Sequence, residues 1–348
     1  MTTLARTEWL TSRLEPWFTF SDYGSQADRS MRLAWASIGC FVLIDLIWLP
    51  ASPLLFASSN WDLILRAGLP VVVIFPTLVI ITHRLRDKTD RVGKFLRETT
   101  KRVELLWRAL LPMSVLTLSA GTFTYLATSA AHPLGDAWLA TMDRQLGFDW
   151  MGLLTFANSN PALSWMLVKA YHSTGIVLAG VFVWLTLTVR AERLAETIAI
   201  FCLSSLGVGI GMLLIPAAGA YTYYNPPHEL FSNFSADAGM WHYKLFMTLR
   251  TDASPVIDLA KPEGLVTFPS FHTVLGIITT YALRDTRWIA IPALLLNGTM
   301  ILATLPEGGH HLVDVIAGGA IAVISIAVVR LSCTRRTSSS AICYGIAT

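Results

Sequence analysis

Three ionisable side chains stand at the mouths of apolar runs, where a lipid-facing chain would carry none. His272 opens a run that continues to Leu283, and His310 and Asp314 sit at the start of another that continues to Val329. Polar groups at such depth are costly and, where present, are functional by default. His310 and Asp314 are four residues apart, so a helix beginning near Gly309 puts both on one face and lets the carboxylate hold the imidazole. A histidine pinned through one ring nitrogen presents the other unprotonated, as a nucleophile or general base requires. His272 is then a second, separate group, free to donate a proton. Two histidines from different helices, one carboxylate-activated and one acidic, suit displacement at phosphorus through a covalent intermediate.

The elements that must position them are read from composition. Of 348 residues, 53% are hydrophobic and only 14% charged, too little charge for an ordinary soluble surface. Apolar runs at about 33 to 51, 67 to 83, 107 to 129, 163 to 188, 195 to 217, 267 to 283, 288 to 305 and 311 to 330 predict eight transmembrane helices. The expected fold is an all-α polytopic bundle. Residues 1 to 32 are expected to form a cytoplasmic amphipathic segment, with Trp9, Leu10, Leu14, Trp17 and Phe18 facing lipid. Residues 33 to 106 then make a two-helix extension with a basic loop, 107 to 333 a six-helix catalytic membrane domain, and 334 to 348 a cytoplasmic tail. The segment 131 to 161 is too polar to span and reads as an interfacial helix, with Asp136 and Asp143 between its apolar positions. The connection 218 to 266 is the longest, and loops of that length in a compact domain are usually functional.

The net charge of +3 matters less than its placement. Arg29 and Arg32, the eight cations between Arg84 and Arg102, Arg190 and Arg193, Arg284 and Arg287, and Arg330 all fall on one side if the helices number eight. Basic loops stay inside, so both termini are expected in the cytoplasm and both catalytic histidines toward the periplasm or exterior. No nucleic-acid patch is needed to explain the charge. Cys40, Cys202, Cys333 and Cys343 show no metal-ligand spacing, so neither a zinc site nor a disulfide is expected.

Pro269-Ser270-Phe271-His272 and His310-His311-Leu312-Val313-Asp314 together resemble the signature of the type 2 phosphatidic acid phosphatase (PAP2) superfamily. The usual glycine is replaced by Phe271, and Ala303-Thr304 stands where that signature has Ser-Arg. Those departures, with Pro216-Ala217-Ala218-Gly219, are more similar to the branch containing inositol-phosphorylceramide synthases. The resemblance implies that His310 becomes phosphohistidine, Asp314 orients it and His272 protonates the leaving alkoxide, with no cofactor or metal. It also implies a phospholipid or sphingolipid substrate, and water or a lipid alcohol as acceptor. Lys244 and Arg250 are the expected phosphate clamps, although they are six apart and no proline follows Arg250.

In place of the absent arginine, the hydroxyls of Ser270 and Thr304 and the free amides where the helix starts at Pro269-Ser270 offer donors to a phosphate. Tyr171, His172 and Lys261 are candidates to line the substrate entrance. His311, about 100° from His310 on a helix, is expected to meet lipid headgroups or the loop. A rival reading makes the intramembrane histidines and aspartate a proton relay in a transporter or flippase-like protein, which predicts inverted repeats that the sequence does not display. The orientation is directly testable. An Asn233→Cys variant is expected to react with an impermeant thiol reagent on intact spheroplasts, and labelling only after the membrane is broken would invert the bundle.

Overall fold

Backbone amides have no water to bond in a bilayer, so long uncharged apolar stretches settle as helices. A computed structural model describes residues 20–85, 87–261 and 263–334 of the chain. It is 75% helical. The helices are α1 (Ser25–Trp48), α2 (Ser59–Leu85), α3 (Arg91–Ser129), α4 (Asp136–Gln145), α5 (Trp150–Asn158), α6 (Pro161–His172), α7 (Thr174–Leu187), α8 (Ala191–Leu214), α9 (Ala220–Tyr224), α10 (Tyr243–Thr251), α11 (Phe271–Ala282), α12 (Arg287–Ala303) and α13 (Leu312–Thr334). The surface helix expected around Trp9 to Phe18 lies outside the described residues, as does nearly all of the tail.

Every apolar run of the sequence lies on a helix, but the helices differ in reach. Among the described residues, five are long and apolar enough to cross a membrane: α1 with its 3-10 extension, α2, α3, α8 and α13. The run at 163 to 188 is not one straight helix but α6 and α7, bent by 47° at Ser173; counted together they make a sixth span. Helices α11 and α12 are shorter apolar helices, below the 18-residue length of a full crossing. The basic loop before residue 107 is largely helical too, because Asp90 caps the helix by accepting a hydrogen bond from the Gly93 amide and the first turns of α3 begin there.

The segment 131 to 161, expected as one interfacial helix, is two. Gly147 adopts a positive φ of 75° and ends α4, and Asp149 accepts from the Gly152 amide to start α5. The most enclosed long helix is α8, which packs against α1, α3, α11 and α13. Small residues such as Ala195, Ala199 and Cys202 allow that close approach, all of them fully buried. Helix α1 therefore lies inside the bundle rather than apart from it. By contrast α2 leaves Leu65, Leu69, Val73 and Ile80 exposed, as a lipid-facing surface requires.

The charged loops gather at one end of the bundle. There Arg284 and Arg193 hold the buried carboxylate of Glu196, and Arg108 reaches Asp22 and Glu104. Two cavities of about 630 and 660 Å³ open at this end, lined by residues such as Arg97, Lys101, Arg190 and Arg330. Helices α11 and α13 run from this end to the other, where His272 and His310 lie.

Helix α11, which carries His272, and helix α13, which the His310 turn leads into, meet through a glycine. Ser270, just before α11, donates its amide to the Asp314 carbonyl at 3.0 Å. One turn further along α13, Gly318 has no side chain, and a Cβ there would run into the Ser270 carbonyl oxygen. Gly319, its neighbour, faces open space apart from Ile277 at 3.7 Å. Gly318→Ala is expected to lower stability by about 1–3 kcal/mol, as overpacking does, and Gly319→Ala to leave it unchanged or slightly raised. Thermal unfolding of the two variants in the same detergent decides this, and equal melting temperatures would show that the contact is not tight.

Candidate active site

Helix α13 begins at Leu312, so His310 and His311 lie in the turn before it and not on its face. Gly308 and Gly309 make that turn, Gly309 at a positive φ of 69° that an L side chain resists. The expected pairing forms nonetheless. His310 Nδ1 stands 3.2 Å from Asp314 Oδ2, and the same oxygen accepts the His311 amide at 2.9 Å. Asp314 is fully buried and His310 is 3% exposed. With Nδ1 occupied, Nε2 of His310 is the nitrogen left for chemistry, and the residue lines a cavity of about 300 Å³.

His272 lines the same cavity, together with Tyr171, His172, Trp241 and His242. It is the second residue of α11, stacked on the Tyr171 ring at 4.4 Å between centroids, with the Tyr171 hydroxyl 3.5 Å from its Nδ1. Tyr171 and His172 reach the cavity because the bend at Ser173 ends α6 just there.

His311 meets the 218–266 connection, its ring centroid 6.2 Å from those of Tyr223 and Tyr224, but not headgroups: it is fully buried between two carboxylates, with Nδ1 3.3 Å from Asp143 Oδ2 and Nε2 3.8 Å from Asp136 Oδ1. The 100° rule fails because residue 311 precedes the helix. Asp143 also accepts the amides of Leu312 at 3.1 Å and Val313 at 3.0 Å, which caps α13 from outside. Asp136 accepts the amides of Ala218 at 2.9 Å and Gly219 at 2.7 Å. Trp150 closes the turn from the other side, its indole N–H donating to the His310 carbonyl at 3.1 Å.

The expected phosphate ligands are placed elsewhere. Arg250 donates to the His132 carbonyl at 2.7 Å and lies over the Phe246 ring, while Lys244 and Lys261 are exposed; none of the three lines the cavity. The Ser270 hydroxyl caps α11, accepting from the Thr273 amide at 3.4 Å, and its own amide is spent on Asp314. The Thr304 hydroxyl donates to the Ile301 carbonyl at 2.6 Å. Short polar side chains at helix ends satisfy their own backbone first. Among the described residues, no lysine or arginine lines the cavity. The donors that remain beside His272 are the first-turn amides of Phe271 and His272, which a helix leaves without intrahelical partners.

Sequence reasoning missed His242 and Glu307. His242 is buried with Nε2 3.3 Å from the Thr267 hydroxyl, and burial, followed by the charge of His310, brings its pKa down to about 4. Near neutrality it is an uncharged hydrogen-bonding wall, not a cation. Glu307 is completely buried beside His172, in a loop that carries no helical or strand periodicity to flag it. Asp136 and Asp143 carried a usable signal, being seven apart and so on one face of a helix.

A model of the PAP2 superfamily matches residues 137–328, more than half of the chain and all of the elements just described around the cavity. No curated protein and no solved structure matches.

Because Asp143 accepts two amides and an imidazole in a dry site, its loss leaves buried donors unpaired. Asp143→Ala is expected to cost about 3 kcal/mol or more, and to lower turnover even at temperatures where the variant stays folded. Unchanged melting and unchanged rate would show that the α13 turn holds without it.

Proposed function

The chain belongs to the PAP2 superfamily, and from that premise we propose that it transfers the phosphoryl or phosphodiester group of a membrane lipid by way of a phosphohistidine at His310. The observation that carries this reading is the buried Asp314 carboxylate on Nδ1 of a histidine whose cavity also contains His272. Nε2 of His310 attacks phosphorus, the bond to the leaving alkoxide breaks, and a proton from His272 goes to that oxygen. An acceptor oxygen then attacks phosphorus and the P–N bond breaks. With no lysine or arginine on the walls among the described residues, the phosphate oxygens are met by the α11 first-turn amides and by imidazole N–H groups.

The acceptor is water or a lipid alcohol. Phe271 in place of glycine and the absence of an arginine from residues 303 and 304 support a head-group transferase similar to inositol-phosphorylceramide synthases. The substrate is then a phospholipid or sphingolipid, and the integral membrane setting follows from the bundle itself. The proposed orientation puts the reaction on the outer face, where exchanging one phosphoester for another needs no ATP.

His310→Ala is expected to abolish both turnover and covalent labelling by lipid phosphate, and labelling that survives would sink the assignment. His272→Ala is expected to lose on the order of 10²–10⁴-fold on a lipid phosphoester but far less on an aryl phosphate, whose leaving oxygen needs little protonation. Equal loss on both would make His272 a phosphate ligand instead. Assays with and without ceramide or diacylglycerol separate transfer from hydrolysis.

A further inference from the structure

Another histidine on the cavity wall, His172, is paired with a carboxylate that lies behind it. Glu307, fully buried, has Oε1 2.8 Å from His172 Nε2. The remaining contacts of that carboxylate are the Ser235 hydroxyl and the Ser235 amide at 3.2 Å. Among the described residues no lysine or arginine is paired with it, and the carboxylate is held by His172 and the Ser235 donors. The arrangement repeats the logic of His310 and Asp314, with the nitrogens reversed: Nε2 is held, and Nδ1 has no partner among the described residues. The exposures differ as well. His310 is buried, whereas the His172 side chain is 51% exposed at the cavity rim.

A pinned, half-open imidazole beside a carboxylate is suited to receiving a proton from something that arrives from outside. His272 is placed differently, in the first turn of α11 under Tyr171, whose ring separates it from the rim. The geometry points to a division of labour: His272 serves the departing alkoxide, and His172, positioned by Glu307, is the general base for the acceptor. This rests on the phosphohistidine reading above. In the step concerned, the acceptor oxygen forms its bond to phosphorus and its proton passes to Nδ1 of His172. The P–Nε2 bond to His310 breaks with its electron pair returning to that ring. The imidazolium formed on His172 is stabilised by Glu307, a positioning residue that touches no reacting atom.

The test separates the two half-reactions in the full-length protein in nanodiscs, with a ³²P-labelled aryl phosphate as the probe. His172→Gln is expected to form phosphohistidine at close to the wild-type rate but to break it down about 100-fold or more slowly, so that labelled protein accumulates while steady turnover falls. Glu307→Gln is expected to show the same pattern more weakly. Should that buried variant misfold, the rim variant His172→Gln carries the test alone. Turnover within about threefold of wild type, or equal slowing of formation and breakdown, would overturn the role of His172 while leaving His310 in place. Absence of labelled histidine from the wild type and from His172→Gln alike would instead remove the phosphohistidine reading on which both roles stand.

Discussion

Desolvated carboxylates accepting backbone amides fix the histidine-bearing end of this bundle. Asp143 takes the first two amides of α13 and Asp136 takes the amides of residues 218 and 219, with the His311 ring between the two. Each carboxylate is buried, and a buried charge persists only where donors surround it. The amides at a helix start are such donors and carry the positive end of its dipole. The short helix α4, too polar to span, is thereby fastened to α13, and the turn holding His310 has one position open to it.

Precision at the reactive nitrogen follows from that fastening and from two backbone contacts. Ser270 donates to the Asp314 carbonyl, which ties the entry to α11 onto the first turn of α13. Gly318 lets the two backbones touch. His272, in the first turn of α11, and His310, in the turn before α13, thus share one cavity through main-chain contacts that no side-chain rotamer can relax. Groups held this way approach the reacting atoms with their orientation already fixed, which is where positioning contributes most to rate.

Much of this was legible in the sequence, for reasons that differ from residue to residue. The apolar runs marked every long helix because lipid leaves the backbone no alternative. His272, His310 and Asp314 stood out because polar atoms are rare in such runs. The bend at Ser173 was hidden, since the apolar run continues through it and hydropathy is blind to direction. The burial of His311 was missed because its environment depends on where the helix starts, a boundary set by Asp143 some 170 residues earlier in the chain. Arg250 and Thr304 illustrate the complementary error. Their types suit phosphate, but Arg250 Nη2 and the Thr304 hydroxyl each donate to a backbone carbonyl away from the cavity, a choice that spacing alone does not reveal.

That no lysine or arginine among the described residues lines the cavity has a kinetic meaning for the proposed reaction. Fixed cations would hold a phosphate product through charge-assisted hydrogen bonds, which are the strong ones. Walls made of imidazoles, indole, phenol and amides behave otherwise: their donors are weaker, and an imidazole's charge comes and goes with its proton. In the proposed reaction, clearance of the product from such a site need not wait for a salt bridge to a fixed cation to dissociate.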